Sequence, residues 1–188
     1  MEVWGYKAFN KDKTNNYGMQ FEEGKSYAIS GNISPGLYGK SEGYHFCTNL
    51  ADVFRFVDAK NDDVQVAYVG TNSEYVKFDD EYYGYFDMVV CREIYIDRFL
   101  TREEIIDRSL EFGEFDLRKF LSTIKLDDNE ILKFIKKYDN RLYCLRDLLY
   151  YQADVKDVFS KNDITQDVLN LRKVLEDGQN SNKGSKRE

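Results

Sequence analysis

The sequence GLYGKSEGYHFCTNLADVFRFV, residues 36–57, changes from a strand pattern to a helix pattern and is the most informative segment of the chain. Alternating side chains over residues 44–47 predict a strand with two different faces. Thr48 or Asn49 can then cap a helix over residues 50–57, where apolar residues recur at helical spacing. We therefore expect a strand that leads directly into a helix.

Further strands are predicted in the first half of the chain, where apolar and polar residues alternate. β-Branched and aromatic residues are enriched in these segments, as is typical of half-buried strands. The predicted strands are 3–9, 24–29, 64–69, 75–78 and 88–96. Together with the strand over 44–47, they indicate a small, mainly antiparallel sheet with one helix.

Helical patterns replace the strand patterns after Asp97. The sequence TREE at 101–104 is a capping box ahead of apolar residues and predicts the start of a helix. Further helices are predicted over 117–124, 129–138, 142–151 and 164–175. The polar end of the chain has no apolar anchor, so we expect it to be disordered. The expected fold class is α+β, with a sheet domain over 1–100, a helical region over 101–176 and a disordered tail over 177–188.

Charge and composition exclude several functions for the 188 residues. A net charge of -7 argues against direct nucleic-acid binding, which needs clustered lysine and arginine. The three cysteines lie far apart, so we expect neither a disulfide framework nor a structural metal site. Since no apolar run approaches roughly 18 residues, we expect no membrane span and a soluble protein of the cytoplasm. The 15 tyrosines and 13 phenylalanines favour a protein that binds a protein partner.

The only histidine, His45, is a candidate catalytic residue because imidazole titrates near neutral pH. Strand alternation places His45 and Cys47 on the same face, where they could form a thiolate pair. The commoner outcome is a histidine that hydrogen-bonds locally and a buried cysteine. A Cys-His hydrolase also needs an orienting group and an oxyanion hole, which the sequence does not identify.

An acidic and tyrosine-rich segment over 79–87 is a candidate binding surface. Its proposed contact residues are Asp79, Asp80, Glu81, Tyr82 and Tyr83. Exposed carboxylates could attract a partner with a basic surface. A calcium site is less well supported, because the order of ligands in an EF-hand is missing. The alternative is a solvated turn between two strands.

Glu93 lies inside a predicted strand, where a carboxylate is costly unless it is paired. Two interpretations remain open from the sequence. Glu93 faces a cleft in which it could act on a ligand, or it sits at a solvated edge of the sheet.

Three motifs resemble an uncharacterised family of small phage, prophage and bacterial domains. They are GYKAFNK over 5–11, FEEGKSY over 21–27 and GYHFCTN over 43–49. Leu50 stands where this family usually has proline. The resemblance covers about the first hundred residues and implies a phage or mobile-element setting rather than a reaction.

A second resemblance is to the ADP-ribosyltransferase fold. The run Tyr44-His45-Phe46-Cys47 before a helix, and a glutamate in a late strand, occur in the order found in that fold. The resemblance implies an enzyme that uses NAD, with Tyr44 stacked on the nicotinamide, Glu93 orienting the ribose and His45 in the same site. The chain departs from the pattern at Tyr6-Lys7, where the fold usually has histidine or arginine, and at Cys91, where a glutamine or glutamate often stands two residues before the catalytic glutamate.

The sequence favours a non-enzymatic interpretation but leaves catalysis open. In the leading interpretation, the chain is a phage- or prophage-associated protein without a cofactor or metal. It binds a host or mobile-element protein, with disabling of a defence system as one role. The alternative is an ADP-ribosyltransferase-like enzyme, degenerate or active, with NAD as its cofactor. The oligomeric state is not predicted.

Overall fold

The alternating segments of the sequence form antiparallel strands, followed by helices. The computed structural model describes residues 3–34, 42–57, 64–79, 87–138 and 142–152. The strands are β1 (Val3–Phe9), β2 (Lys25–Ala28), β3 (Tyr44–Cys47), β4 (Gln65–Thr71), β5 (Tyr75–Asp79), β6 (Asp87–Cys91) and β7 (Glu93–Phe99). The helices are α1 (Leu50–Val53), α2 (Arg102–Ser109), α3 (Glu114–Thr123), α4 (Asp128–Lys137) and α5 (Leu142–Tyr151). The predicted α+β class is confirmed, with the helices at the C-terminal side.

The seven described strands form one sheet in the order β2-β7-β4-β1-β3-β6-β5. β1 pairs with β4 along all of its residues, from Val3 to Phe9. With β3 it shares only one register pair, Tyr6 opposite Cys47. The sheet is therefore almost divided between β1 and β3 into a four-stranded part and a three-stranded part.

Gly5 permits the close approach of β1 and β3 at this junction. A Cβ atom at Gly5 would collide with the carbonyl oxygen of Cys47 and lie 2.7 Å from the ring of Phe46. Only glycine fits here without displacing one strand from the other. Beyond this point the two strands separate.

The two parts of the sheet are also connected where β6 continues into β7. The predicted single strand over 88–96 is interrupted at Arg92, because β6 pairs with β3 and β5 whereas β7 pairs with β2 and β4. The amide of Glu93 donates to the hydroxyl of Ser73 at 2.9 Å, and the hydroxyl of Thr71 donates to the carbonyl of Glu93 at 2.6 Å. The short segment between β4 and β5 is therefore hydrogen-bonded to the backbone of Glu93, at the junction of β6 and β7.

The main apolar cluster of the sheet uses residues from both parts. Phe46 in β3, Val69 in β4, Val89 in β6 and Ile94 in β7 are all buried in it. Phe21, from the loop before β2, is fully buried against the ring of Phe9, with centroids 4.9 Å apart. Alternate residues of the strands thus supply one continuous core.

Helix α1 is shorter than the predicted helix over 50–57 and ends at Val53, with Phe54 as its C-cap. The predicted cap at Asn49 is present, since its side chain accepts from the amide of Ala51 at 3.1 Å. Phe54 then packs edge-on against Phe120 of α3, with centroids 4.9 Å apart. This contact links the short helix to the first long helical segment.

The chain divides into two compact units, Met1–Ile124 and Lys125–Glu188. Helices α2 and α3 belong to the first unit, although the sequence placed the start of a helical region at residue 101. The predicted capping box at the start of α2 is present, with reciprocal bonds between Thr101 and Glu104. Arg108 of α2 donates to the hydroxyl of Tyr6 at 2.8 Å, which ties this helix to β1.

The second unit contains α4 and α5. Asp127 and Glu130 form a capping box at the start of α4. The side chain of Gln152, just after α5, accepts from the amide of Leu126 at 2.9 Å. The predicted helix over 164–175 and the predicted disordered tail lie outside the described residues. No helix in the described ranges has the length and apolar character needed to cross a bilayer.

Candidate functional site

A cleft of about 740 Å³ opens where β1 and β3 separate. Its walls are residues 6–10 of β1 and the following turn, residues 43–47 around β3, the loop residues 14–17, and Val53 and residues 55–57 at and after the end of α1. We call it the β1–β3 cleft. All of its lining residues belong to the first compact unit.

The described lining of the cleft contains no aspartate or glutamate, although the chain has 34 acidic residues. The two lining residues with a fixed or usual positive charge are Lys7 and Arg55. Arg55 is already paired, with Asp52 at 3.0 Å and with Asp116 at 3.4 Å. Lys7 has no carboxylate partner among the described residues, which distinguishes it from Arg55 within the described lining.

The Lys7 amine is held in place by the backbone of β3. Its Nζ atom donates to the carbonyl oxygen of His45 at 2.8 Å and lies 5.7 Å from the centroid of the Phe9 ring. Burial lowers the pKa of Lys7. The result is a partly dehydrated lysine fixed at the wall of an open cleft.

Tyr44 and His45, two of the residues suggested by the sequence, line this cleft. Tyr44 is buried, its ring meets Phe21 edge-on at 6.2 Å, and its hydroxyl donates to the sulfur of Met19 at 3.8 Å. Burial raises the pKa of Tyr44. Burial, and then the charge of Lys7, lower the pKa of His45 to about 4. The imidazole is therefore neutral at pH 7.

Cys47 lies on the same face of β3 as His45, as strand alternation predicted. The two residues are opposite Met88 and Val90 of β6. Burial raises the pKa of Cys47 to about 12, so that the thiol stays protonated at neutral pH. These groups therefore do not form a thiolate pair, and Cys47 matches the alternative of a buried structural cysteine.

Glu93, the third suggested catalytic residue, lies at the start of β7 and is not part of the described cleft lining. It is opposite Ala28 of the edge strand β2, and its side chain is exposed. Of the two interpretations left open by the sequence, its position agrees with a solvated edge. Tyr44 and His45 therefore both line the cleft, whereas Glu93 is outside its described lining.

The suggested binding surface falls almost entirely outside the described residues. Asp79 is the last residue of β5 and is opposite Asp87 of β6. Asp80, Glu81, Tyr82 and Tyr83 are not described. In the part of the chain that is described, no three His, Cys, Asp or Glu residues are grouped as metal ligands.

Sequence reasoning missed several residues of the cleft. Tyr17 and Phe56 line the cleft with exposed fractions of 88% and 46%. Tyr17 belongs to a polar loop in which the side chain of Asn15 accepts from the amides of Tyr17 and Met19, at 3.0 and 2.9 Å. Asparagine is typical of turns, so the sequence of this loop could have predicted its turn. Lys7 belongs to the GYKAFNK motif and departs from the ADP-ribosyltransferase pattern, but no sequence signal indicates that it lines a cleft.

Comparison with known proteins gives one match. A family model described as "Domain of unknown function (DUF7666)" matches residues 3–108. This range contains all seven described strands, and it agrees with the expected membership of an uncharacterised family. No curated protein and no solved structure matches the chain.

Proposed function

We infer the function of this chain, which belongs to the family of domains of unknown function DUF7666, from the β1–β3 cleft of its first unit. In this proposal the cleft binds a small organic molecule that presents a phosphate, carboxylate or carbonyl oxygen to Lys7. The observation that carries the proposal is a lysine without a carboxylate partner in a described lining that contains no acid.

Hydrogen bonding supports an oxygen acceptor as the group that Lys7 contacts. An ammonium group has three N–H donors, and the described residues accept only one of them, through the carbonyl of His45. A ligand oxygen can accept from the others. Partial burial strengthens this interaction, because water screens the charges less than it does at an open surface.

The edges of the cleft support an organic ligand rather than an inorganic anion. Tyr17 and Phe56 expose aromatic rings at the cleft, and Met19 adds a third exposed apolar side chain. Exposed apolar groups in a concave site favour a ligand with an apolar or planar part. NAD combines such rings with a diphosphate, and the ADP-ribosyltransferase resemblance makes it the first ligand to test.

Binding is tested by the shift in unfolding temperature of the full chain with NAD, ADP-ribose, pyrophosphate and pyruvate. A ligand that binds only the folded state raises the free energy of unfolding by RT ln(1 + [L]/Kd). Lys7→Gln should remove the shift, whereas the matched surface change Lys25→Gln should preserve it. An unchanged shift in Lys7→Gln, or no shift with any of the four ligands, would refute the proposal.

Catalysis by the same cleft is a second candidate, favoured by the presence of Tyr44 and His45 in its lining. The position of Glu93 gives no support for a transferase mechanism in which this residue orients the ribose. Incubation of the protein with labelled NAD and a cell lysate distinguishes catalysis, in which the label is transferred, from ligand binding alone. Transfer that is lost in Glu93→Gln would reinstate the enzyme that the resemblance implies.

The phage-associated protein-binding role stays a proposal with its own test. It is supported by the net charge of -7 and by the acidic segment over 79–87. Replacing Asp79, Asp80 and Glu81 with asparagine should slow association with a basic partner, and the effect should shrink as salt screens the charges. Equal association rates at low salt, with a partner recovered by pull-down, would eliminate this surface.

A further inference from the structure

We propose that Lys7 is a nucleophile as well as a hydrogen-bond donor, and that the β1–β3 cleft captures an aldehyde or ketone ligand as an imine on its Nζ atom. The proposal rests on the proposed function in that it uses the same cleft and the same residue. It goes further in assigning a covalent step and a chemical class of ligand.

The position of the amine supports the step. The hydrogen bond from Nζ to the His45 carbonyl fixes the end of a side chain that is otherwise flexible. A neutral amine has two N–H bonds and one lone pair. It can therefore donate to His45 and still present the lone pair to a ligand in the cleft.

The surroundings also favour the neutral, reactive form of the amine. No carboxylate in the described lining stabilises an ammonium ion at this position. Arg55 does not stabilise an ammonium ion on Lys7 either, because it is itself positive and forms ion pairs with Asp52 and Asp116. Burial lowers the pKa of Lys7, so more of it is neutral at pH 7 than of an exposed lysine. Desolvation is an established way of activating a lysine for imine formation.

The reaction needs no oxidant or reductant. The lone pair of Nζ attacks the carbonyl carbon, a C–N bond forms, and the π electrons move to the oxygen. Water carries a proton from nitrogen to that oxygen, giving a carbinolamine. The nitrogen lone pair then forms the C=N bond. The hydroxyl group takes the remaining proton of the nitrogen and leaves as water. One ligand and one lysine thus give one imine and one water molecule.

The chain supplies an internal comparison for this reactivity. Lys25 lies in the edge strand β2, and both it and its partner Glu22, 4.0 Å away, are largely exposed. It should react as an ordinary surface lysine. The ratio of modification at Lys7 to that at Lys25 measures the effect of the cleft within one protein sample.

The test uses pyridoxal 5′-phosphate, which carries both an aldehyde and a phosphate. The full chain is mixed with this probe at pH 7, the imine is reduced with borohydride, and the labelled peptides are quantified by mass spectrometry. We expect Lys7 to be labelled at least about tenfold faster than Lys25. Lys7→Arg keeps the positive charge but should lose this label and leave the Lys25 label unchanged. Labelling of Lys7 at the same rate as Lys25 would overturn the proposal.

A second probe, added to the same protein variants, distinguishes imine formation from reversible binding. Pyridoxine 5′-phosphate has the ring and the phosphate but no aldehyde. If it binds through Lys7 while pyridoxal 5′-phosphate labels unselectively, the imine is refuted and the proposed function stands. If Lys7 is labelled selectively but no aldehyde-free ligand binds, the imine stands and the proposed binding function fails. The comparison within the wild type remains decisive even if a Lys7 variant does not fold.

Discussion

Lys7 of β1 donates a 2.8 Å hydrogen bond to the carbonyl oxygen of His45 of β3, across the boundary at which the sheet divides. The two strands share only one register pair, Tyr6 opposite Cys47, so this side chain provides a second connection between them. The same amine faces the β1–β3 cleft. Lys7 is therefore placed both to hold the two parts of the sheet and to contact a ligand.

Replacing Lys7 with methionine should stabilise the protein while removing ligand binding. Methionine fills a similar volume without the cost of burying an amine. We expect a gain of about 1 kcal/mol in the free energy of unfolding at pH 7, measured with urea. Lys25→Met, at the exposed edge, should change it by less than about 0.5 kcal/mol. A clear loss of stability in Lys7→Met would mean that the hydrogen bond outweighs the burial cost.

His45 should titrate with a pKa of about 4 in the folded protein. Because the chain has one histidine, the proton on its Cε1 gives one NMR signal that can be followed from pH 3 to pH 8. A midpoint near the ordinary value of 6.5 would show that the ring is hydrated and that its burial is not maintained in solution.

The same shift predicts how stability depends on pH. Between about pH 4 and 6.5 the unfolded chain binds a proton at His45 that the folded chain does not, so the free energy of unfolding rises with pH. The contribution of His45 is at most about 3 kcal/mol, and less because the side chain is not fully buried. His45→Asn should flatten the stability profile over this range. A profile as steep as that of the wild type would assign the effect to other groups.

Gly5→Ala should destabilise the junction of β1 and β3. Its methyl group would overlap the Cys47 carbonyl and press on the Phe46 ring, and both belong to a buried strand. We expect a loss of about 3 kcal/mol in thermal or urea unfolding. Gly31→Ala is the matched control, since a Cβ there meets no atom of the described residues within 4 Å. Equal effects of the two changes would contradict the close approach of these strands.

A fragment of residues 1–124 should fold, whereas one of residues 1–99 should not. The longer fragment keeps α3, whose Phe120 packs against Phe54, and α2, whose Arg108 binds Tyr6. The shorter fragment lacks both helices, so Phe54 and Tyr6 lose these contacts. Circular dichroism should show cooperative melting for 1–124 alone. If 1–99 melts as cooperatively and at the same temperature, the sheet is independent of both helices.

Local features of the fold could be predicted from the sequence because they depend on neighbouring residues. The strand over 3–9, the helix over 142–151 and the capping box at Thr101 were each predicted with the bounds or contacts observed. Alternation also placed His45 and Cys47 correctly on one face of β3. Each of these features depends on residues only a few positions apart.

Features that depend on strand partners could not be predicted in this way. The β-rich run over 88–96 is continuous in its pattern, but the chain changes partners at Arg92. The position of Glu93 follows from that change, because β7 pairs with β2 and β4 whereas Tyr44 belongs to β3. The order of these residues along the chain resembles that of the ADP-ribosyltransferase fold, but strand pairing places Glu93 outside the described cleft lining.

The α+β class, most of the strands and the caps of α1 and α2 could be predicted from the sequence, since periodicity and capping are local properties of the chain. Tertiary structure alone decided that β1 and β3 meet at one register pair and then separate. It also decided that a lysine from one strand reaches the backbone of the other inside the resulting cleft. Strand pairing brings together residues that are far apart in the chain, and no local pattern records which strands will become neighbours.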